Sequence, residues 1–293
     1  MTTSDKAEGR DQTTLLVGFD SAWTANNSGG IVGVLRAEDA KVSELGSPQI
    51  IDYPQAQEVI SKWKDELAPT AMIVLLDQPT IVPNQKSQRP VENIVGSVVS
   101  RRYGGMQPAN TSKQEMFGPR APIWPFLSRF GGAANPLVPV VGNRVFETYP
   151  VLAMIALGWT LPDSSPHPRP TGRMPKYNPD RRKNFSLPDW LYVCGRASDE
   201  FRDRELKGIV QWINNAEQLS KPRKEDQDRL DACLCLLVAL HLAEGKECLM
   251  VGNRKTGCIV VPHSAELHGA LAARCEVTGR VPAEWVRVFR LRG

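Results

Sequence analysis

Two aspartates follow apolar segments that have the composition of buried strands. Asp20 ends the segment LLVGFD, and Asp77 ends the segment MIVLLD. A carboxylate beside a buried strand costs free energy unless a hydrogen-bond donor, a counter-ion or a metal compensates for its charge. These two residues are therefore the first candidates for chemistry.

Two further aspartates lie at the charged start of an otherwise apolar segment. Asp228 and Asp231 precede residues 232–243, ACLCLLVALHLA, whose pattern is typical of a helix that is buried on nearly every side. Because the two residues are spaced i,i+3, both carboxylates would project from the same side of the first turn of this helix. Capping of the helix, or compensation of its dipole, is the alternative use of such a pair.

Glu147, in the segment NRVFETYP, completes a dispersed set of five acidic residues. Clustered carboxylates repel one another and resist joint ionisation unless a hard cation is present, and sites made only of oxygen ligands suit Mg²⁺ or Mn²⁺. Two such ions, about 3.5 to 4 Å apart, can activate a water molecule and stabilise the leaving oxygen of a phosphodiester. Separate carboxylates on rigid elements are what this chemistry requires.

The elements that would carry these acids follow an ordered alternation. Three strands with short links predict an antiparallel meander, namely TLLVGFD, GGIVGVLRA and KVSELGSPQIID. An amphipathic helix, PQAQEVISKWKDELA, and a fourth strand, AMIVLLD, come next. Because a helical crossover usually returns the chain parallel to its own sheet, we expect the first and fourth strands to be adjacent and parallel. Asp20 and Asp77 would then lie side by side at the carboxyl edge, where open α/β sheets bind their ligands.

The remaining segments predict one elaborated α/β domain over residues 14–293, preceded by a disordered tail, residues 1–13. Residues 80–142 are rich in Pro, Gly, Gln and Asn, and they predict a functional insertion or cap with short helices. A fifth strand carries Glu147. Helices are expected around EFRDRELKGIVQWINNAEQ and KEDQDRLDACLCLLVALHLAEG, followed by two short strands, CLMVGN and GCIVVP, and a helix, SAELHGALAARC.

Basic residues are concentrated in a segment that proline and glycine keep irregular. The chain has 293 residues and a net charge of +4, which permits an anionic partner without requiring one. Residues 164–190 predict a basic loop that is either a solvated surface or a surface in contact with phosphate. Its candidate substrate-binding residues are Lys176, Arg181 and Arg182.

Composition also bears on compartment. No apolar run approaches the roughly 20 residues that a membrane-spanning helix needs, and the first residues lack the hydrophobic region of a signal peptide. A cytoplasmic protein with no membrane partner is therefore expected. The six cysteines lie mostly inside apolar runs, which favours reduced, buried thiols.

Six motifs, in this order, resemble the DUF429 family, a group of predicted nucleases in the ribonuclease H-like superfamily. They are GFDSAW, LLDQP, SRRYGG, FETYP, DRLDACLCLLVALHLA and GCIVVP, and they span residues 15–262. The resemblance implies a ribonuclease H-like fold. That fold is a five-stranded mixed sheet with three antiparallel strands first and parallel crossovers after them, flanked by helices, here with the large insertion after the fourth strand.

The resemblance also implies roles for the acidic residues. Asp20 matches the aspartate of the first strand that bridges the metals, and Asp77 matches the acid at the end of the fourth strand. Asp231, with Asp228 beside it, matches acids of the last helix, so Asp20, Asp77 and Asp231 are the expected metal ligands. Glu147 matches a family motif, and the roles of ligand, general base and structural acceptor all stay open to it.

Other positions match the family less directly. Arg101 and Arg102 match the position at which the family has an arginine before a glycine. Each of them could contact a phosphate or form a structural ion pair, and the sequence does not favour either role. Lys113 is a further candidate for contact with the substrate. Gln78 departs from the family, because an aliphatic residue is more usual at this position.

Three functions from different classes fit these residues. The first is a metal-dependent nuclease with nucleic acid as its partner. The second is a non-catalytic or other-substrate member of the same fold, because a fold does not fix a function. The third, and the least favoured, is an actin-like ATPase or sugar kinase, since Ser21, Ala22 and Trp23 follow Asp20 and supply no glycine for a phosphate loop.

Overall fold

The structure is a computed structural model that describes residues 12–139, 142–181 and 183–291. Most of the expected tail, residues 1–11, therefore lies outside the described residues. The strands are β1 (Thr14–Asp20), β2 (Gly29–Arg36), β3 (Val42–Glu44), β4 (Gln49–Ile51), β5 (Ala71–Leu76), β6 (Gly142–Glu147), β7 (Cys248–Asn253), β8 (Gly257–Pro262) and β9 (Val286–Phe289).

The helices alternate with these strands along the chain. They are α1 (Tyr53–Leu67), α2 (Pro90–Ser100), α3 (Gln114–Phe117), α4 (Ile123–Arg129), α5 (Pro150–Ala156), α6 (Leu187–Arg202), α7 (Lys207–Glu217), α8 (Lys224–Ala243), α9 (Ala265–Val277) and α10 (Pro282–Trp285). The residues before α1 explain where it begins, because the Asp52 side chain accepts a hydrogen bond from the backbone N–H of Gln55 at 2.9 Å and Pro54 occupies the first turn.

A mixed sheet of six strands forms the centre of the fold. Its order is β3-β2-β1-β5-β6, and β4 pairs with β2 as well. β1 pairs with β2 in the antiparallel sense and with β5 in the parallel sense, and β5 pairs with β6 in the parallel sense. The prediction that the first and fourth strands are parallel neighbours is therefore confirmed.

Two boundary predictions were wrong. The expected third strand is divided into β3 and β4, so the sheet has six strands rather than five; Gly46, between them, has φ +119°, a conformation that interrupts a strand and favours glycine. The basic loop ends earlier than residue 190, because α6 already begins at Leu187. Ser186 accepts a hydrogen bond from the backbone of Asp189 and caps this helix, with Pro188 in its first turn.

Apolar side chains alternate between the two faces of the sheet, as the two-residue period of a strand requires. Leu16 of β1 packs in the core formed with α8, α5 and α6, whereas Leu15, Val17 and Phe19 pack with α1 and α4 on the opposite face. Helices therefore cover both faces. This arrangement leaves the edge at which β1, β5 and β6 end as the place where polar groups can gather.

Helix α8 lies in direct backbone contact with the sheet. A Cβ atom at Gly18 of β1 would overlap the backbone of Ala232 and Leu236, and one at Gly30 of β2 would overlap the backbone of Asp228. Nearly every residue of the helix from Asp226 to Leu242 is buried, which confirms the expected burial on all sides. The two glycines thus set how closely the acidic start of α8 approaches the end of β1.

The C-terminal strands form a second sheet. It is antiparallel with the order β8-β7-β9, and β7 and β8 pack in the same core as α8. All six cysteines are buried and free, as their apolar neighbours predicted. Within the described ranges, no helix combines the length and the apolar character needed to cross a membrane.

The substitution Gly18→Ala tests the contact between α8 and β1. Because the added methyl group would overlap the helix backbone, we expect the free energy of unfolding to fall by about 1 to 3 kcal/mol in urea denaturation. Gly195→Ala is the matched control, since a Cβ there meets nothing within 4 Å. Its stability should be unchanged or slightly higher because alanine favours the helix. Equal stability of the two variants would contradict the close approach.

Candidate functional site

Three aspartates from three elements meet at the carboxyl edge of the main sheet. Asp20 is the last residue of β1, and Asp77 directly follows β5. Phe19 of β1 and Leu76 of β5 are paired in register, so both acids leave the sheet at the same level. Asp231 comes from the second turn of α8, which lies over β1. We call Asp20, Asp77 and Asp231 the acidic cluster.

The charges of the acidic cluster act on one another. Burial raises the pKa of Asp20, and the charges of Asp77 and Asp231 raise this pKa further. Burial also raises the pKa of Asp77, where the charges of Asp231 and Glu147 add to the effect. For Asp231, burial raises the pKa to about 6. The three residues that the sequence proposed as metal ligands therefore lie near enough for their charges to interact.

The members of the cluster differ in how they are compensated. The Asp231 carboxylate accepts a hydrogen bond from the Tyr177 hydroxyl at 2.7 Å and another from the Gln227 side-chain amide. The carboxylates of Asp20 and Asp77 accept no hydrogen bond from any residue that the structure describes. Two closely placed acceptors without donors carry an electrostatic cost that a proton or a cation would remove.

Asp228 is compensated by a lysine on its own helix. The Lys224 ammonium, one turn earlier, forms an ion pair with Asp228, and its positive charge also lowers the pKa of each member of the acidic cluster. Lys224 is therefore the counter-charge that the chain itself supplies.

Glu147, the last residue of β6, is fully engaged in a buried ion pair. The Arg89 guanidinium donates to both of its carboxylate oxygens, at 2.9 and 2.6 Å, and the backbone N–H of Thr80 donates to one of them at 3.1 Å. Arg89 also binds Glu92 at 2.7 Å. Burial raises the pKa of Glu147, and the charge and hydrogen bonds of Arg89 oppose this shift. These contacts are those of a structural acceptor.

A cavity of about 910 Å³ opens beside the acidic cluster. Asp77, Glu147 and Asp231 line it, whereas Asp20 and Asp228 are not among its lining residues. Its other walls include residues 103–107, the start of α5 and parts of the basic loop, namely residues 173–178, 181 and 183–186. The insertion, residues 80–142, therefore contributes part of the wall.

The basic candidates divide into two groups. Lys176 and Arg181 are exposed and line the cavity, while Arg182 lies outside the described residues. Arg102 is buried and binds Glu266 at 2.5 Å, which is structural ion pairing. Arg101 is exposed but does not line the cavity. Lys113 does not line it either, and its ammonium donates to the Pro108 carbonyl at 2.6 Å.

Gln78 connects the ends of β5 and β1. Its side chain is fully buried, and its carbonyl oxygen accepts hydrogen bonds from the hydroxyls of Ser21, at 2.5 Å, and Tyr53. Its amide nitrogen donates to the Trp23 carbonyl at 3.4 Å. An aliphatic residue could not make these bonds, so the Gln78 side chain fixes the turn that follows Asp20.

Gln227 is a member of the site that the sequence interpretation missed. Its amide nitrogen donates to Asp231, and its carbonyl oxygen is buried without a hydrogen-bond partner, in a side chain that lines the cavity. The signal was present, because Gln227 and Asp231 are separated by four residues and so share one face of α8. Tyr149 and Tyr177, also in the cavity wall, had no comparable signal.

The cluster is not a preassembled set of ligands. Within residues 12–139, 142–181 and 183–291, no three His, Cys, Asp or Glu side chains already stand in an arrangement that could hold a metal ion. The carboxylates are close enough to repel one another, but binding of a cation would require their oxygens to draw together.

The fold and site define an α/β protein whose mixed sheet gathers carboxylates at one edge, beside a cavity with a basic side. The family model described as "Protein of unknown function (DUF429)" matches residues 18–256. The chain therefore belongs to the DUF429 family, as its motifs indicated. Comparison with curated proteins and with solved structures gives no match.

The substitution Asp20→Asn tests the electrostatic cost of the acidic cluster. The folded protein holds the pKa of Asp20 above its ordinary value of 3.8. The wild-type protein therefore keeps its full free energy of unfolding below pH 3.8, and loses part of it as the pH rises through the folded pKa and Asp20 becomes charged. In the presence of a chelator, we expect the variant to be more stable than wild type by about 1 to 3 kcal/mol at neutral pH, and equally stable near pH 4.

Urea denaturation at several pH values provides the measurement, and Asp65→Asn is the control. Asp65 is exposed on α1, and it should give the wild-type profile. If Asp20→Asn were less stable than wild type at neutral pH, the carboxylate would be stabilising, and the repulsion inferred for this cluster would be wrong.

Proposed function

We propose that this protein is a divalent-metal-dependent nuclease of the ribonuclease H-like type. The observation that carries the proposal is the meeting of Asp20, Asp77 and Asp231 from three rigid elements, with two of these carboxylates lacking hydrogen-bond donors, beside a cavity that has basic residues on its wall. The strand pattern supports the fold assignment, because antiparallel strands precede β5 and β6, which continue the sheet in parallel on the other side of β1.

The chemistry of the available atoms fits Mg²⁺ or Mn²⁺. Both ions prefer oxygen ligands, and the acidic cluster offers only oxygens. The carbonyl oxygen of Gln227, which has no hydrogen-bond partner, adds a neutral oxygen ligand for a metal beside Asp231. Asp20, Asp77 and Asp231 would hold the metal, which supplies activation of water and stabilisation of the leaving oxygen in phosphodiester hydrolysis.

The remaining residues position these groups and the substrate. Tyr177 and Gln227 orient the Asp231 carboxylate through their hydrogen bonds. Arg89 keeps Glu147 paired, so we assign Glu147 to support of the site rather than to a metal. Lys176 and Arg181 face the cavity as cations suited to backbone phosphates.

A second candidate function is nucleic-acid binding without cleavage. The favouring observation is the position of Lys224, whose charge compensates the acidic cluster without a metal. The kinase alternative gains less support, because Trp23 lies where a phosphate loop would need a flexible glycine.

Cleavage assays on labelled DNA, RNA and hybrid substrates, with Mg²⁺ or Mn²⁺, test the nuclease proposal. Mutation of a residue that only hydrogen-bonds to a metal ligand typically lowers activity by about 10- to 100-fold. Loss of a ligand itself, in Asp20→Asn or Asp231→Asn, should therefore lower the cleavage rate by at least ~100-fold. Asp65→Asn should cleave as wild type does. Absence of metal-dependent cleavage by wild type on every substrate, or full activity of both variants, would refute the proposal and favour binding alone.

The pH dependence of cation binding provides a test that does not need turnover. Because protons compete with a metal for the same carboxylates, and burial raises the pKa of Asp231 to about 6, the affinity for Mn²⁺ should fall as the pH is lowered through this value. Calorimetric titration from about pH 8 to about pH 5 measures the change. Affinity that stays constant over this range would place the bound ion away from the acidic cluster.

A further inference from the structure

Two aromatic residues of the cavity wall have an unusual backbone conformation. Trp23 and Tyr103 both have φ of 60°, in the left-handed region that bulky residues rarely adopt. Six described residues other than glycine have positive φ, and of these only Trp23 and Tyr103 line the cavity. Such strain persists where the surroundings enforce it, and it clusters at functional sites.

Trp23 is held in place from two sides. Its carbonyl accepts a hydrogen bond from the buried Gln78 side chain at 3.4 Å, and its indole packs edge-on against Phe117 with ring centroids 5.8 Å apart. The residue is only half-buried. The turn after Asp20 therefore places a fixed, half-buried aromatic residue in the cavity wall.

Tyr103 is likewise fixed although it is exposed. Its hydroxyl donates to Asp163 at 3.2 Å, and the Arg169 guanidinium lies 3.9 Å from the centre of its ring. The residue nevertheless keeps 49% of its surface exposed. An exposed ring that its neighbours already hold loses little conformational entropy when a planar ligand stacks on it.

Uncommitted cations accompany these rings. Lys176, Arg181 and Lys183 line the cavity and form no ion pair with any residue that the structure describes. Arg173, on the same loop, is different because both of its terminal guanidinium nitrogens donate hydrogen bonds to the Asp189 carboxylate. The three cations are therefore available to phosphates.

Two fixed aromatic rings with free cations are the combination that binds single-stranded nucleic acid, where bases stack on aromatic side chains and a positive groove follows the backbone. The bases of a duplex are already stacked and show only their edges. Asp231 is also nearly buried within the cavity wall, so a phosphodiester has to enter the cavity to reach it.

We infer that the cavity takes an unpaired segment of DNA or RNA, with bases stacked on Trp23 and Tyr103 and phosphates bound by Lys176, Arg181 and Lys183. This inference rests on the nucleic-acid substrate of the proposed function and adds its strandedness. Duplexes would be bound only at frayed ends or loops.

Fluorescence anisotropy with oligonucleotides of about eight nucleotides tests the inference, with Ca²⁺ in place of Mg²⁺ to limit cleavage. Single strands, each with one 2-aminopurine, are compared with blunt duplexes of the same sequence. Wild type should bind the single strands at least ~10-fold more tightly and quench the 2-aminopurine, and Trp23→Ala and Tyr103→Ala should each weaken this binding by about 5- to 100-fold.

The conservative variants Trp23→Phe and Tyr103→Phe should retain most of the affinity because they keep a ring. Trp285→Ala, half-buried and away from the cavity, is the matched control and should bind as wild type does. Circular dichroism checks the fold of each variant, and the exposed Tyr103 gives a variant with little effect on the core.

Equal affinity for single strands and duplexes, or unchanged binding by both alanine variants, would overturn the inference, even if metal-dependent cleavage were found. Tight binding of single strands with no cleavage would instead sustain the inference and refute the nuclease proposal. The two proposals therefore fail on different measurements.

Discussion

The close approach of α8 to the main sheet is the constraint on which the candidate site depends. Gly18 and Gly30 leave no room for a side chain between β1, β2 and the helix backbone. Interiors are packed as densely as crystals, so a helix that fits this tightly cannot slide or rotate freely. Its position places Asp231 beside the ends of β1 and β5, and it buries the acidic start of the helix at a point where water would otherwise solvate it.

Two kinds of acidic residue lie at the same edge of the sheet, and they differ in how their charges are matched. Glu147 receives both arms of Arg89 and a backbone donor, so its charge is matched locally. Asp20 and Asp77 receive no such donors from the described residues. Beyond the effect of burial, the charge of Asp77 raises the pKa of Asp20, and the charges of Asp231 and Glu147 raise the pKa of Asp77. An arginine is paired with the carboxylate of Glu147, whereas none of the described arginines is paired with Asp20 or Asp77. The pair of carboxylates without hydrogen-bond donors, Asp20 and Asp77, is thus the part of the edge that local packing does not explain.

The sequence predicted the main features of the fold because their signals are local. Strand length, the helix between the third and fourth strands and the apolar character of residues 232–243 led to the parallel pairing of β1 with β5 and to the burial of α8. The division of the third strand and the early start of α6 were missed, because they depend on a single backbone conformation at Gly46 and on the cap at Ser186. Such features have weak signals in composition.

The site was predicted in part for the same reason. Asp20 and Asp77 lie at the ends of neighbouring parallel strands, and Asp231 lies near the start of the helix that packs on them, so the order of the elements indicates where they are. Pairings between distant segments were not predictable, and the hydrogen bond between Tyr177 and Asp231 joins a loop to a helix across 54 positions. The partner of Arg102, Glu266, is farther still at 164 positions. Nothing in the local sequence around such residues indicates which segment will fold against them.

Because opposite charges line one cavity, the binding of an anionic ligand there depends on how the acidic cluster is neutralised. A phosphate that approaches Asp77 and Asp231 is repelled by both carboxylates, while Lys176 and Arg181 are exposed and screened by salt, so they attract it only weakly. The repulsion acts in a buried region where screening is poor. Neutralisation of the acidic cluster, by protons, by Lys224 or by a metal, must therefore accompany binding of a phosphate at this edge. Affinity for an anion that reaches the acidic cluster should consequently be coupled to occupancy by a cation, whereas contacts made only with the basic loop should not be.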